Sequence, residues 1–186
     1  MKSGPFGGNI EEIHRPRALR ITNAIGTKFE KFKKYLNDSK SGVGKNDCLL
    51  IAINGGAIQH FADPSMLLKR AVFGQGPGVF VKIPGQEKLK GGFYKPTLTI
   101  IKKKEISEEE IPANFMEMDE FSKISAVLYC GYEVSYSWMN GFNVGDDFLF
   151  AYHSNPKNSI PENTFKFGHG IRKDSITGSI EDKEQK

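Results

Sequence analysis

One pairing limits this chain more than any other: a long amphipathic helix that leads, after a polar loop, into an unbroken apolar run. At 100° per residue, Ala18, Ile21, Ile25, Phe29, Phe32 and Leu36 fall within a wedge of about 80°, the pattern of a helix with one buried side. Arg20, Asn23, Thr27, Lys31 and Lys34 form the opposite stripe. Pro16 stands just ahead of the pattern, where a missing N–H costs nothing, and Asn37, Asp38, Ser39 and Gly42 supply a stop. A helix over 17–36 is about 30 Å long, enough to cross a sheet. Cys48 to Ile53 then reads CLLIAI, without alternation, and closes at Asn54-Gly55-Gly56. Such a strand is predicted to be covered on both faces, at the centre of a parallel α/β sheet.

Helix, loop and buried strand make half of a crossover unit. The strand that normally precedes the helix has no counterpart in residues 1–16, which are rich in Gly and Pro. The expected organisation is a flexible segment over 1–16, a single α/β domain over 17–170 and a disordered tail over 171–186, where polarity rises. Within the domain, Asp63-Pro64 predicts a helix start with Asp as N-cap, ending at Gly74. VFVKI at 79–83, TLTII at 97–101, ISAVLY at 124–129 and DFLFAY at 147–152 read as strands. Ser107-Glu-Glu-Glu reads as a single turn, and Phe115 to Phe121 as a short segment packing its aromatics inward. The Gly-rich GQGPG lies between a helix and a strand and lacks Gly-Lys-Ser/Thr, so it reads as a turn, not a phosphate cradle.

At 186 residues, with 14 Phe and six Tyr, the chain has enough bulky material for one core. No apolar run approaches 18 residues and no signal-peptide pattern opens the chain, so the expectation is a cytoplasmic protein without a membrane partner. Cys48 and Cys130 each fall in apolar runs and are expected as small core residues without a disulfide. The net charge is only +4, but its distribution is uneven. Six lysines (28, 31, 33, 34, 40, 45) face Glu30 and Asp38 alone, and Lys102 to Lys104 form a second cluster. Basic surfaces of this kind attract phosphate backbones by releasing counterions; the competing reading is a solvated helix face and a charged sheet edge.

No catalytic constellation or metal-ligand spacing appears. His14, His60, His153 and His169 have no partner at such a spacing. His60 could pair with Asp63; His153 beside Asp146-Asp147 is the better acid–base candidate, since it follows a strand, where α/β folds place their sites. Asp147 and His153 therefore define a possible polar site at a strand end. No Gly-x-Ser-x-Gly elbow is present, and neither cysteine has an electropositive setting.

Arg20-Ile-Thr-Asn-Ala-Ile-x-x-Lys28, Lys45-Asn-Asp with LLIAIN, and Ile124-Ser-Ala-Val-Leu-Tyr followed by Gly145-Asp-Asp-Phe-Leu-Phe and His153-Ser-Asn-Pro-Lys-Asn-Ser-Ile-Pro carry a resemblance over 16–170. They resemble the C-terminal part of a bacterial family with the restriction-endonuclease-like, or PD-(D/E)xK, fold. The resemblance implies a mixed α/β sheet with a long crossover helix, lacking its N-terminal catalytic hairpin. No PD…(D/E)xK pair precedes Arg17; Glu11-Glu12 with His14-Arg15 does not fit. Mg²⁺ is therefore expected only if another chain supplies the carboxylates. The resulting expectation is a nuclease-like remnant or split subunit that contacts nucleic acid through Arg20, Asn23, Lys28, Lys31 and Lys34 and has no hydrolytic activity alone. The alternative is a protein-interaction or oligomerisation module, in which a partner chain or a second copy covers an exposed sheet edge.

Overall fold

In the computed structural model, the amphipathic segment folds as α1 (Ile10–Asn37), longer than the stripe predicts. It runs straight through Pro16, so the expected flexible segment over 1–16 is helical from Ile10. Inside a helix a proline removes one i→i−4 bond and crowds the carbonyl four residues back, a local cost of about 3 kcal/mol that the packing of the rest of α1 offsets. The structure describes residues 10–56, 63–76, 78–81, 90–94, 98–103, 107–131, 145, 147–174 and 179–185. His60 and Asp146 lie outside them.

β1 (Leu49–Asn54) follows, then α2 (Pro64–Phe73). α2 is bounded as its sequence predicts: the Asp63 carboxylate accepts the Ser65 N–H at 2.9 Å, and Gly74 closes the helix at φ 64°. β2 (Gly78–Val81) and β3 (Lys90–Tyr94) form one antiparallel pair, and β4 (Thr99–Lys103) and β5 (Glu108–Pro112) another. The acidic run expected as a single turn is thus a strand. In that register Lys102 stands opposite Glu109 and Lys103 opposite Glu108. Two positions of the second lysine cluster are therefore paired in register with acidic positions of β5. Two 3₁₀ turns (Phe115–Glu117 and Asp119–Phe121) bury Phe115, Met116 and Phe121, as their aromatic content predicts.

The main sheet is completed by β6 (Ile124–Cys130), β7 (Phe148–Tyr152), β8 (His169–Lys173) and β9 (Ile180–Glu184), in the order β1-β6-β7-β8-β9. β1–β6 and β7–β8 pair parallel; β6–β7 and β8–β9 pair antiparallel. The fold is therefore mixed α/β.

Two expectations are corrected here. The run Cys48 to Ile53 is not a central strand. Among the described residues β1 has one neighbour, β6, and stands at the sheet border. Leu49, Ile51 and Ile53 face the helices and are buried, whereas Ala52 and Asn54 are exposed and Leu50 is half-buried; Cys48, expected in the core, is exposed. An apolar run specifies which side chains seek cover but not how many strands flank it. The interior strands covered on both faces are β6 and β7. The second correction concerns 171–186, expected as a disordered tail: it supplies most of β8 and all of β9. Its charges sit on an edge hairpin, while Ile171 reaches the core with no exposure at all. Polar composition there reflects a solvated edge, a common way to protect it.

One face of the sheet carries α1 and α2, which bury Ala18, Ile21, Ile25, Phe29, Leu67, Leu68 and Val72 against Ile51, Val127, Tyr129, Leu149 and Ile171. The other face holds a smaller cluster in which Phe150 stacks on Phe165 at 4.4 Å. Because Ile171 is core, Ile171→Ala should cost about 2–5 kcal/mol in denaturant unfolding. A disordered 171–186 would leave the midpoint unchanged.

Candidate functional site

Burying one stripe of α1 forces the opposite stripe outward. Arg20, Asn23, Thr27, Lys31 and Lys34 are all exposed, and Lys28 is exposed on the flank of the same surface. From Arg20 to Lys34 the helix rises about 21 Å, comparable to the length over which one strand of duplex places six phosphates. The five residues predicted to contact nucleic acid therefore share one continuous side of one helix.

The charge on this side is not neutralised locally. Between Arg17 and Asn37 the one carboxylate is Glu30. It pairs with Lys33 at 2.8 Å, and Lys33 also reaches Glu120 at 3.8 Å and lies over the Phe29 ring at 4.5 Å. Lys33 is thus folded against the core side. Arg20, Lys28, Lys31 and Lys34 form no ion pair among the described residues. Tyr35, four residues from Lys31 and so its neighbour on the helix surface, is 46% exposed. Sequence reading passed over this ring; its i,i+4 spacing from Lys31 was the available signal. A flat aromatic beside cations is the pairing on which unstacked bases rest.

The proposed polar site at a strand end does not assemble. Asp147 precedes β7 and His153 follows it, so the two lie at opposite ends of a five-residue strand, roughly 17–20 Å apart. Because β7 runs antiparallel to β6, His153 also sits beside the N-terminal ends of β1 and β6, away from the carboxyl ends where α/β sites form. Asp147 accepts the Cys130 thiol at 3.0 Å. His153 is buried, and both ring nitrogens are engaged: Nδ1 accepts the Asn155 N–H at 3.0 Å, which leaves Nε2–H to donate to Met118 O at 3.2 Å. Burial holds its pKa below the usual histidine range. It is a neutral structural group, without a face open to substrate.

The whole segment after β7 works as a latch. His153 N–H donates to Ser125 O, Ser154 N–H to Met116 O and Lys157 N–H to Ser122 O. Ser125 Oγ donates to Asn158 O at 2.6 Å and accepts the Leu49 N–H at 3.1 Å. Asn158 Nδ2 donates to both Lys45 O and Asp47 O. The motif His-Ser-Asn-Pro-Lys-Asn-Ser, part of the family resemblance, therefore serves the fold here.

Among the described residues, no three His, Cys, Asp or Glu side chains stand close enough to share a metal ion. Nor is any described helix long and apolar enough to cross a membrane.

The latch predicts a pH dependence. With a folded pKa below that of the unfolded chain, His153 leaves the native state fully stable above about pH 6.5 and destabilises it as pH falls below that value. His153→Gln should cost about 1–3 kcal/mol at pH 7.5, from the lost hydrogen bonds, and the difference from wild type should shrink towards pH 5 in urea titrations. Compared with known proteins, the chain matches no family model, no curated protein and no solved structure, so its function is read from its own residues.

Proposed function

We propose that the protein binds the phosphate backbone of nucleic acid through the outer side of α1. The observation that carries this reading is the set of exposed cations Arg20, Lys28, Lys31 and Lys34, none paired with an acid among the described residues. A merely solvated helix face usually mixes both signs of charge. Here Glu30, the one carboxylate between Arg17 and Asn37, is taken up by Lys33. Four cations on a rigid rod can each displace a condensed counterion from a nucleic-acid strand. Asn23 adds an amide able to donate to phosphate oxygen, and Tyr35 a ring on which a base can stack.

The kinship with a restriction-endonuclease-like core has a narrower base. A long helix leads into β1, which pairs parallel with β6 inside a mixed sheet. The border position of β1 removes the buried central strand on which that kinship leaned. The binding proposal therefore stands on the lysine face and not on the scaffold. In a nuclease-like complex, the carboxylates and their Mg²⁺ would come from another chain.

Fluorescence anisotropy with labelled oligonucleotides tests the proposal. Affinity should fall steeply between about 50 and 200 mM salt, with a log–log slope near −3 to −4 for four phosphate contacts. Lys28→Glu, Lys31→Glu and Lys34→Glu together should lower affinity at least about tenfold and flatten the slope by about 2–3. Affinity that ignores salt or these substitutions overturns it.

A second reading rests on β1. Its outer side has no strand partner among the described residues, and an open edge is a template for strand addition by a second copy or another protein. It predicts a dimer or larger species in light scattering, at loadings where a solvated edge leaves a monomer.

A further inference from the structure

A cavity of about 320 Å³ lies at the C-terminal end of α1, lined by Asn37, Lys45, Asp47, Lys123, Lys157 and Asn158 among others. That volume is at the small end for ligand sites. Its three lysines come from separate parts of the chain: the loop before β1, the turn before β6 and the latch after β7. None forms an ion pair among the described residues, and all three are exposed. Like charges gathered round one cavity repel, and an anion bound among them would offset that repulsion. The fold fixes the backbones that carry them. Asn158 Nδ2 ties down the backbone carbonyls of Lys45 and Asp47 at 2.9 and 3.0 Å, and the Lys157 N–H donates to Ser122 O at 2.6 Å, one residue from Lys123.

The one acid in the lining, Asp47, is already engaged, since its Oδ2 accepts the Gly44 N–H at 2.7 Å. A helix C-terminus ordinarily repels anions through its bare carbonyls. At this end Lys34 O and Tyr35 O both accept the Asp38 N–H, and Tyr35 O also accepts Ser41 Oγ, which blunts that repulsion. The larger cavity on the far face, about 520 Å³, differs in kind: Arg172 and Lys183 there are outnumbered by Glu162, Glu181 and Glu184.

We infer that the smaller cavity binds a phosphate monoester, delivered as the terminal phosphate of a nucleic-acid strand lying on α1. Three cations against one carboxylate leave a surplus of two, which suits a monoester carrying nearly two negative charges at pH 7 better than a singly charged internal diester. Asn37 lines the cavity three residues beyond Lys34 and Leu36 of the buried stripe lines it too, so the cavity adjoins the last turn of the lysine-bearing helix. The strand as source rests on the reading of α1 above; the cavity chemistry does not.

The test compares oligonucleotides ending in a 5′-phosphate, a 3′-phosphate or hydroxyls, with phenyl phosphate as a free monoester. A phosphorylated end should bind about tenfold tighter or better. Lys45→Met, Lys123→Met and Lys157→Met together should erase that preference, with the thermal melt unchanged because all three side chains are exposed. The preference should also fade below about pH 6, where the monoester takes up a proton. Strand binding without any end preference, and no phenyl phosphate binding, overturns the cavity assignment and spares α1. Phenyl phosphate binding that the triple Met variant loses, with no oligonucleotide binding, upholds the cavity, moves the source to a free monoester and overturns the α1 reading.

Discussion

The surface chemistry of this protein follows from where α1 buries its apolar stripe. Ala18, Ile21, Ile25 and Phe29 are packed out of water against α2, β1 and the β4–β5 hairpin. Full burial of Ile or Phe stabilises by about 1.5–3 kcal/mol each, so rotating the helix by even one residue would sacrifice several such terms while pushing lysines into the core. The exposed cations are thus the outer half of a helix whose inner half is fixed by packing. Binding is proposed on a side the fold cannot turn away.

The second organising feature is polar. The segment 153–159 holds the 3₁₀ turns, the start of β6 and the loop before β1 through backbone carbonyls and amides. Buried groups such as the His153 ring and Ser125 hydroxyl are satisfied, so the network rigidifies without leaving an orphan. One consequence is geometric. The same bonds that close the sheet's lower border set the backbones of Lys45 and Lys157 on either side of one cavity. A role in the fold and a role in binding can share one set of bonds.

Residues whose structure depends on near neighbours were legible in advance. Asp63-Pro64 and Gly74 bound α2 because capping is local chemistry. Ile124 to Tyr129 and Asp147 to Tyr152 carry enough apolar weight to be strands in any context. The exposed positions Arg20, Asn23, Thr27, Lys31 and Lys34 followed from the helical period alone. The misreadings share a cause. Cys48 to Ile53 looked central because apolar runs do not count their neighbours. Residues 171–186 looked disordered because an edge hairpin and a loose tail have the same polar composition. His153 looked reactive because nothing local to it reveals that Met118 and Asn155 occupy both nitrogens.

By itself, then, the sequence determined the helices, the buried strand segments and the side of α1 on which positive charge accumulates, because periodicity and capping act over a turn or two. Tertiary structure alone decided that β1 lies at a border, that the last residues join the sheet, and that Lys45, Lys123 and Lys157 line one cavity. Those outcomes depend on hydrogen bonds between segments well apart in the chain, such as β7 to β8 and Ser125 to Asn158. No local pattern encodes a partner at that distance.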